Sequence, residues 1–330
     1  MYINFSDIPA HQNLFLDYLH EFENVERFYG KNFRASDQYH PVFQKLSKKD
    51  RPHRGIVEQI IKSQYDEFTP SKKTAQNIES LTSNKTIVIA TGLQLGIFGG
   101  PLYTIYKSIT AIKLCSYLKE KYDEFNFVPL FWLEGDDHDY DEVRNFTILN
   151  NENQIVNIKY DDGLPEDTNH GGIASLKFNQ NLENLFSELG TGLRETEFKA
   201  PLLEMLNSFY QPEKTFLDSF RKLMVRMFDE YGLIVFNPTD REVKKVLSPL
   251  FAKEITEFGD HTGLLVERSA ELEEVYHAQV KVKPINIFYL EENERLSIEP
   301  TDTGEYRLKS KRKKFTREEL LSHLELTPEK

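Results

Sequence analysis

An α/β fold built on a parallel sheet is what this chain predicts, and three features carry that expectation. The run Thr86-Ile87-Val88-Ile89-Ala90-Thr91 is almost continuously β-branched, as a strand covered on both faces is. A turn holding Gly92, Gly96, Gly99, Gly100 and Pro101 then leads into residues 102–121, where Leu102, Ile105, Ile109, Ile112 and Cys115 recur at helical spacing and predict one buried stripe. A second apolar strand, residues 127–133, ends in a burst of acids around His138. Strand, helix and strand in that order make a βαβ unit. Ligands of open parallel sheets bind beyond the carboxyl ends of the strands, where neighbouring loops diverge.

Around this unit, residues 1–80 read as a helical N-terminal segment and 81–150 as the first half of the core. Residues 151–230 read as an inserted connecting segment, and 231–330 as a return to the core with a small β meander. Helices are predicted over 13–29 and 56–68, with 39–43 extended or turned because the residue before Pro41 avoids the helical region. His40 and His53 lie near turns and read as surface or capping groups. Two strand-like runs, 145–149 and 154–158, flank a polar turn and predict a hairpin. Residues 161–172, rich in Gly, Pro, Asp and Asn, read as a surface loop that either covers the crevice or merely connects, with the connector preferred. Helices follow over 182–189 and 196–209, and the stripe Phe216, Phe220, Leu223, Met224, Met227 and Phe228 reads as core packing.

A second strand-to-helix step runs through Gly232-Leu233-Ile234-Val235-Phe236 and the turn Asn237-Pro238-Thr239-Asp240 into a helix over 241–258, capped by Thr239 or Asp240. Another helix is expected over 262–279, strands over 285–290, 295–299 and 306–308, and a last helix over 315–324 started by Thr316. Residues 307–311 superficially resemble the lysine-serine-lysine loop of some adenylating enzymes. They read instead as basic residues that keep an edge strand unpaired.

Composition narrows the function classes. The chain has 330 residues, enough for a sizeable core and more than one lobe. Lys and Arg number 41 against 53 Asp and Glu, and the net charge of −12 disfavours nucleic acid as a partner. One cysteine excludes an internal disulfide and a multi-cysteine zinc site. No apolar run approaches the ~20 residues needed to span a membrane and the N-terminus lacks a signal pattern, so the expectation is a soluble, cytoplasmic protein.

Two corners carry the chemistry. In the first, glycines permit close backbone approach and Pro101 suits a first helical turn, so amides at the helix start could cradle a phosphate or carboxylate. Neither G-x-G-x-x-G nor G-x-x-x-x-G-K-[ST] is matched, Lys107 lies two turns into the helix, and a tight structural turn is the alternative. In the second, Asp136, Asp137, His138, Asp139, Asp141 and Glu142 put six ionisable groups into seven residues at a strand end. They must reach water, bind a cation or share protons. Oxygen-rich clusters favour Mg²⁺, which would accompany ATP, and His138 among carboxylates suits a group that takes a proton from an attacking amine. A solvated loop capping the next element explains the same residues. Asn237 and Asp240 stand at a strand's carboxyl end, where either a ligand role or capping accounts for them.

The motifs Thr91-Gly92-x-Gln94-x-Gly96-x-Phe98-x-Gly100-Pro101-Leu102-Tyr103-Thr104-x-x-Lys107 and Phe131-Trp132-x-x-Gly135-Asp136-Asp137-His138-Asp139-x-x-Glu142 together resemble the bacillithiol biosynthesis cysteine-adding enzymes, the BshC family. Further matches are Tyr231 through Asp240, Tyr276-His277-x-Gln279-Val280 and Asn286 through Glu291, so the resemblance covers nearly all of the chain. Leu93, Gly99, Tyr106 and Asp136 depart from the residues usual in similar sequences. The resemblance implies a Rossmann-like core of the nucleotidyltransferase type with inserted connecting segments. It also implies a C-terminal coiled-coil arm, absent from this chain, through which the full-length family forms homodimers. It further implies addition of L-cysteine to the amine of glucosaminyl malate through an activated carboxylate, with ATP as the expected nucleotide and Mg²⁺ alongside. His138, Asp137 and Asp139 would be catalytic. Gly92, Gln94, Gly96, Gly100, Tyr103, Lys107, Trp132, Asn237 and Asp240 would bind substrate or nucleotide. The rival readings are a metal-dependent hydrolase or transferase using residues 136–139, and a non-catalytic nucleotide-binding or assembly module.

Overall fold

The structure, a computed structural model, describes residues 3–9, 12–166, 168–291 and 294–330. In chain order, helices α1 (Asn13–His20), α2 (Tyr39–Lys48), α3 (Arg54–Gln64) and α4 (Lys72–Ser80) precede strand β1 (Thr86–Gln94). Helix α5 (Tyr103–Lys121) links it to β2 (Asn126–Glu134), and the single turn α6 (Tyr140–Val143) leads to the hairpin β3 (Asn145–Leu149) and β4 (Ile155–Lys159). Then come α7 (Leu182–Gly192), α8 (Lys199–Phe209), α9 (Phe216–Phe228), β5 (Ile234–Phe236) and α10 (Arg241–Glu273). Strands β6 (Phe288–Glu291), β7 (Glu294–Pro300), β8 (Tyr306–Leu308) and β9 (Lys314–Phe315) precede α11 (Arg317–Leu326). Among the described residues no helix is long and apolar enough to cross a membrane.

The described residues group into two compact units, one of residues 49–248, 289–296 and 323–330, the other of 1–48, 249–288 and 297–322. The helical N-terminal segment read from the sequence is therefore divided near residue 48, because α3 and α4 pack with the sheet.

The first unit is an α/β layer structure on a parallel sheet ordered β1-β2-β5. The central strand β2 buries Phe127, Val128, Leu130, Phe131 and Leu133, which is why its sequence is apolar without alternation. Register runs from Thr86 opposite Asn126 to Gln94 opposite Glu134, so β1 and β2 end side by side. Helix α3 is fastened to β5 by Tyr65, whose hydroxyl accepts the Val235 amide at 2.9 Å and whose pKa burial pushes up to about 12. Helix α9 buries Phe216, Phe220, Leu223, Met224 and Phe228 as its stripe predicts.

Helix α5 turns a different face to the sheet than its bulky residues suggest. Its buried residues are Thr104, Ser108, Ala111, Cys115 and Leu118, while Leu102 and Ile109 are exposed. Small side chains let the helix lie close over β1 and β2, and the larger apolar groups fall to its flanks and outer face.

In the other unit, Val25, Phe43, Ile255, Tyr276, Ile285, Ile298, Tyr306 and Leu308 are buried. The Tyr276 hydroxyl donates to Asp17 at 2.7 Å and that of Tyr306 to the Ile255 carbonyl at 2.9 Å. Residues 39–43 are helical rather than extended, because Pro41 falls in the first turn of α2, where a missing amide hydrogen costs nothing. Helix α1 ends at His20 instead of running to residue 29, and the two helices expected over 241–279 are one run interrupted at Glu257 (φ −119°) and ending at Glu273. Strand β8 lies inside the order β6-β7-β8-β9, so the basic run at 307–311 does not guard an edge. Arg307 is neutralised across the strands by Glu299 at 2.9 Å. Thr316 and Glu319 cap α11 reciprocally, at 3.1 and 2.7 Å.

Candidate functional site

The glycine corner begins where β1 ends. Gly92 lies so close to β2 that a Cβ there would sit 2.6 Å from the Trp132 carbonyl oxygen, and a Cβ on Gly96 would sit 2.6 Å from Gly100 Cα. Phe98, Gly99 and Gly100 follow with φ of 54°, 96° and 69°. The left-handed conformation costs a bulky residue about 1–2 kcal/mol. The Phe98 ring offsets this by packing 5.2 Å from Phe146, 5.1 Å from Phe186 and 4.8 Å from Tyr210. The buried Tyr210 hydroxyl faces the amides of Gly99 and Phe98 short of hydrogen-bond geometry.

Most of the amides expected to cradle an anion are used by the turn itself. Gly96 donates to Gln94 O at 2.9 Å, Gly99 to Gly96 O at 3.1 Å and Gly100 to Ile97 O at 3.0 Å. Thr104 donates to Pro101 O at 2.9 Å, which leaves Leu102 and Tyr103 at the head of α5. The corner borders a cavity of about 510 Å³ whose lining includes Gln94, Gly96, Gly100, Tyr103, Glu142 and Thr147.

The acidic corner lies at the end of β2, and three of its carboxylates lie against the protein's own cations. Lys244 donates to Asp136, Arg295 approaches Asp137 to 4.0 Å, and Arg144 holds Asp141 with Nε at 2.8 Å. The Arg144 hydrogen bond keeps the Asp141 carboxyl below the usual range. Asp139 accepts the Glu142 amide at 3.0 Å and caps α6, and Asp137 accepts the His138 amide at 2.7 Å. The His138 ring is 64% exposed, with Nδ1 3.6 Å from Asp137. Among the described residues no three His, Cys, Asp or Glu side chains converge as metal ligands. With Asp136 and Asp141 neutralised by Lys244 and Arg144, the cluster does not fit a Mg²⁺ held by protein groups alone.

One side chain joins the two corners. Gln94 Nε2 donates to Asp137 Oδ2 at 3.2 Å and to Glu142 Oε2 at 3.3 Å. A second cavity, of about 440 Å³, is lined by Asp137, His138, Asp139, Tyr140, Glu142 and His170 among others, so Glu142 belongs to the walls of both.

The remaining sequence-predicted residues line neither cavity. Lys107 donates to the Gly92 carbonyl at 2.6 Å and lies 6.0 Å from the centre of the Tyr103 ring. Trp132 packs edge-on to Phe236 at 5.3 Å. Asn237 accepts from the Thr239 amide at 3.1 Å and Asp240 from the Glu242 amide at 2.8 Å, while Gln64 bonds the Asn237 carbonyl at 2.8 Å and Asp240 at 3.2 Å. These are turn and cap contacts.

Comparison with known proteins reads the same stretch of chain. The family model described as bacillithiol biosynthesis BshC, N-terminal Rossmann-like domain, matches residues 1–330. The chain belongs to the BshC family. It is 31% identical over 326 residues to a Salinibacter ruber protein carried under the name "Putative cysteine ligase BshC", covering 98% of this chain and 58% of that one. Proteins of the same name from Christiangramia forsetii (32%) and Chloroherpeton thalassium (31%) each match over 321 residues, 96% of this chain and 57% of theirs. The chain thus spans a little over half the length of these BshC relatives.

Several groups around the site carry no sequence signal. Lys244 and Arg295 reach the acids from 108 and 159 residues away. The residues that end the 161–172 loop dock at the end of β2, with the Ile173 amide donating to Asp137 O at 2.9 Å and that of Ala174 to Gly135 O at 3.0 Å. They fit because Gly135 has no side chain, since a Cβ there would meet Ala174 Cβ at 2.8 Å. In this way the loop carries His170 to the second cavity.

Glu134, opposite Gln94, holds its proton more tightly than an ordinary glutamate. Burial raises its pKa first and the Asp136 charge second, against a hydrogen bond from Trp132. Because the folded state binds this proton more tightly than the unfolded chain, the stability it contributes is complete below the ordinary Glu value and is lost as pH rises through the folded one. Glu134→Gln is therefore expected to stabilise the fold at neutral pH, with the gain vanishing below about pH 4. Urea unfolding at the two pH values measures it.

Proposed function

We propose that this chain carries the catalytic core of a ligase that adds L-cysteine to the amine of glucosaminyl malate. In this reading the glycine-corner cavity takes the cysteine carboxylate and the nucleotide phosphates, and the acidic cavity takes the amine. The observation that carries it is the Gln94 bridge, which sets the two cavities against one wall. Holding two reactants in register removes much of the entropic barrier to their reaction. The start of α5 favours an anion through its backbone dipoles. The carboxylates of Asp137, Asp139 and Glu142 favour an ammonium group, and His138 with Asp137 orients it at the cavity mouth.

A carboxylate is a poor electrophile until one oxygen can leave, and ATP would supply that leaving group as an adenylate. The chain's own part is to hold the carboxylate at the Leu102 and Tyr103 amides at the head of α5, to fix the shared wall through Gln94, and to keep Asp136 and Asp137 paired, through Lys244 and Arg295, so that their charge does not repel the phosphates. Calorimetry on the protein at its full natural length, titrated with cysteine, ATP and ADP with and without Mg²⁺, tests this. Cysteine and ATP are expected to bind, and Gln94→Ala is expected to weaken cysteine at least about tenfold, or 1.4 kcal/mol. Tight Mg²⁺ binding without nucleotide, together with no heat from cysteine, would instead identify a metal-dependent hydrolase.

A further inference from the structure

The cavity that receives the amine has a second histidine, and its setting differs from that of His138. His170 Nε2 lies 2.7 Å from Asp162 Oδ2, and the two side chains are 10% and 11% exposed. Tyr140 stacks on the imidazole with centroids 3.9 Å apart and planes 23° apart. Asp162 is fixed in turn, since its Oδ1 accepts the Leu164 amide at 3.0 Å and its carbonyl accepts Asn179 Nδ2 at 2.8 Å. Against burial, which pushes its carboxyl up, the Leu164 amide and His170 hold Asp162 below the usual range. A carboxylate so held binds the Nε2 proton and fixes the tautomer and the ring plane, leaving Nδ1 as the basic nitrogen. Among the described residues Nδ1 makes no hydrogen bond. The other ionisable groups around the imidazole and its cavity are Tyr140, Arg144, His138, Asp137, Asp139, Asp141, Glu142 and Glu166.

We propose that His170, oriented by Asp162, is the catalytic base that takes the proton from the attacking amine, an assignment that rests on the ligase reading above. The amine nitrogen uses its lone pair to form the C–N bond at the carbonyl carbon of a nucleotide-activated cysteine. The bond from that carbon to the phosphate oxygen breaks, and its electron pair leaves on the phosphate. The proton released from nitrogen passes to Nδ1 of His170, and the imidazolium is stabilised by Asp162. His138, with its ring mostly in water and no carboxylate within hydrogen-bond distance of it, has neither the fixed plane nor the partner for this task. The bland alternative is that the Asp162–His170 pair only pins the loop over β2.

His170→Gln separates the two, because a glutamine amide can keep the Asp162 contact while removing the base. In the full-length protein supplied with cysteine, ATP and the amine, kcat for amide formation is expected to fall about 10²- to 10⁴-fold. The KM for cysteine and the thermal midpoint are expected to be unchanged, and the acidic limb of the pH–rate profile should disappear. Asp162→Asn, which keeps the shape and removes the charge, should lower kcat and leave that KM in place. Amide formation by His170→Gln at the wild-type rate, or a parallel loss of cysteine binding and folding stability in both variants, would overturn the assignment. A wild-type protein that forms no amide from cysteine would overturn the ligase reading itself, and this step with it.

Discussion

Alanine at Gly96 is expected to abolish cysteine and nucleotide binding, and alanine at Gly55 to do the reverse of harm. At Gly96 the new Cβ would lie 2.6 Å from Gly100 Cα and 3.2 Å from its nitrogen. Both neighbours are backbone atoms, so no side-chain rotation relieves the overlap. Gly100 itself is held at a φ of 69°, and any movement passes straight to Pro101 and the head of α5. Overpacking of this kind costs about 1–3 kcal/mol and reshapes the corner that borders the larger cavity. Gly55 lies in α3 with nothing within 4 Å of a built Cβ, so the same added methyl should stabilise by about 0.5–1 kcal/mol through helix propensity. Thermal unfolding with cysteine titration on both variants makes the comparison. Gly96→Ala should lose binding and unfold several degrees lower, and Gly55→Ala should bind normally and unfold slightly higher.

The parts of the fold legible in the sequence are those whose physics is local or whose burial is uniform. β2 shows as an apolar run because it is the central, buried strand, whereas the similar run of β1 lies at the sheet's edge and leaves Val88 and Ala90 exposed; the β3–β4 hairpin shows in its polar turn, and α9 in its stripe of large apolar residues. Bulk does not mark burial on α5, whose inner surface is made of Thr104, Ser108, Ala111 and Cys115. Pro41 falls in the first turn of α2, where it starts the helix instead of breaking it. At the two corners, Gly96 and Gly100 are legible by their setting on the turn and Asp137, His138 and Asp139 by their density, while Gln94 and Tyr103 are singled out only by the family resemblance. What neutralises the acids is not legible, since no local pattern says that Lys244 or Arg295 will arrive at Asp136 and Asp137. His170 was hidden for the same reason. Turn-forming residues signal a loop and carry no information about the surface on which it settles.

In the proposed ligase the glycine corner and the acidic corner act as one site through Gln94. A double-mutant cycle on kcat/KM for amide formation measures that directly, using Gln94→Leu, Asp137→Asn and the pair in the full-length protein. Gln94→Leu removes the donor that holds Asp137 Oδ2 at 3.2 Å, and Asp137→Asn removes the charge it holds. If the bridge couples the corners, either change alone already breaks it. The double variant should then be no worse than the poorer single one, a coupling of about 1–2 kcal/mol, or 5- to 30-fold. Effects that simply multiply, with coupling under about 0.5 kcal/mol, would show that the two corners work independently and would contradict the account.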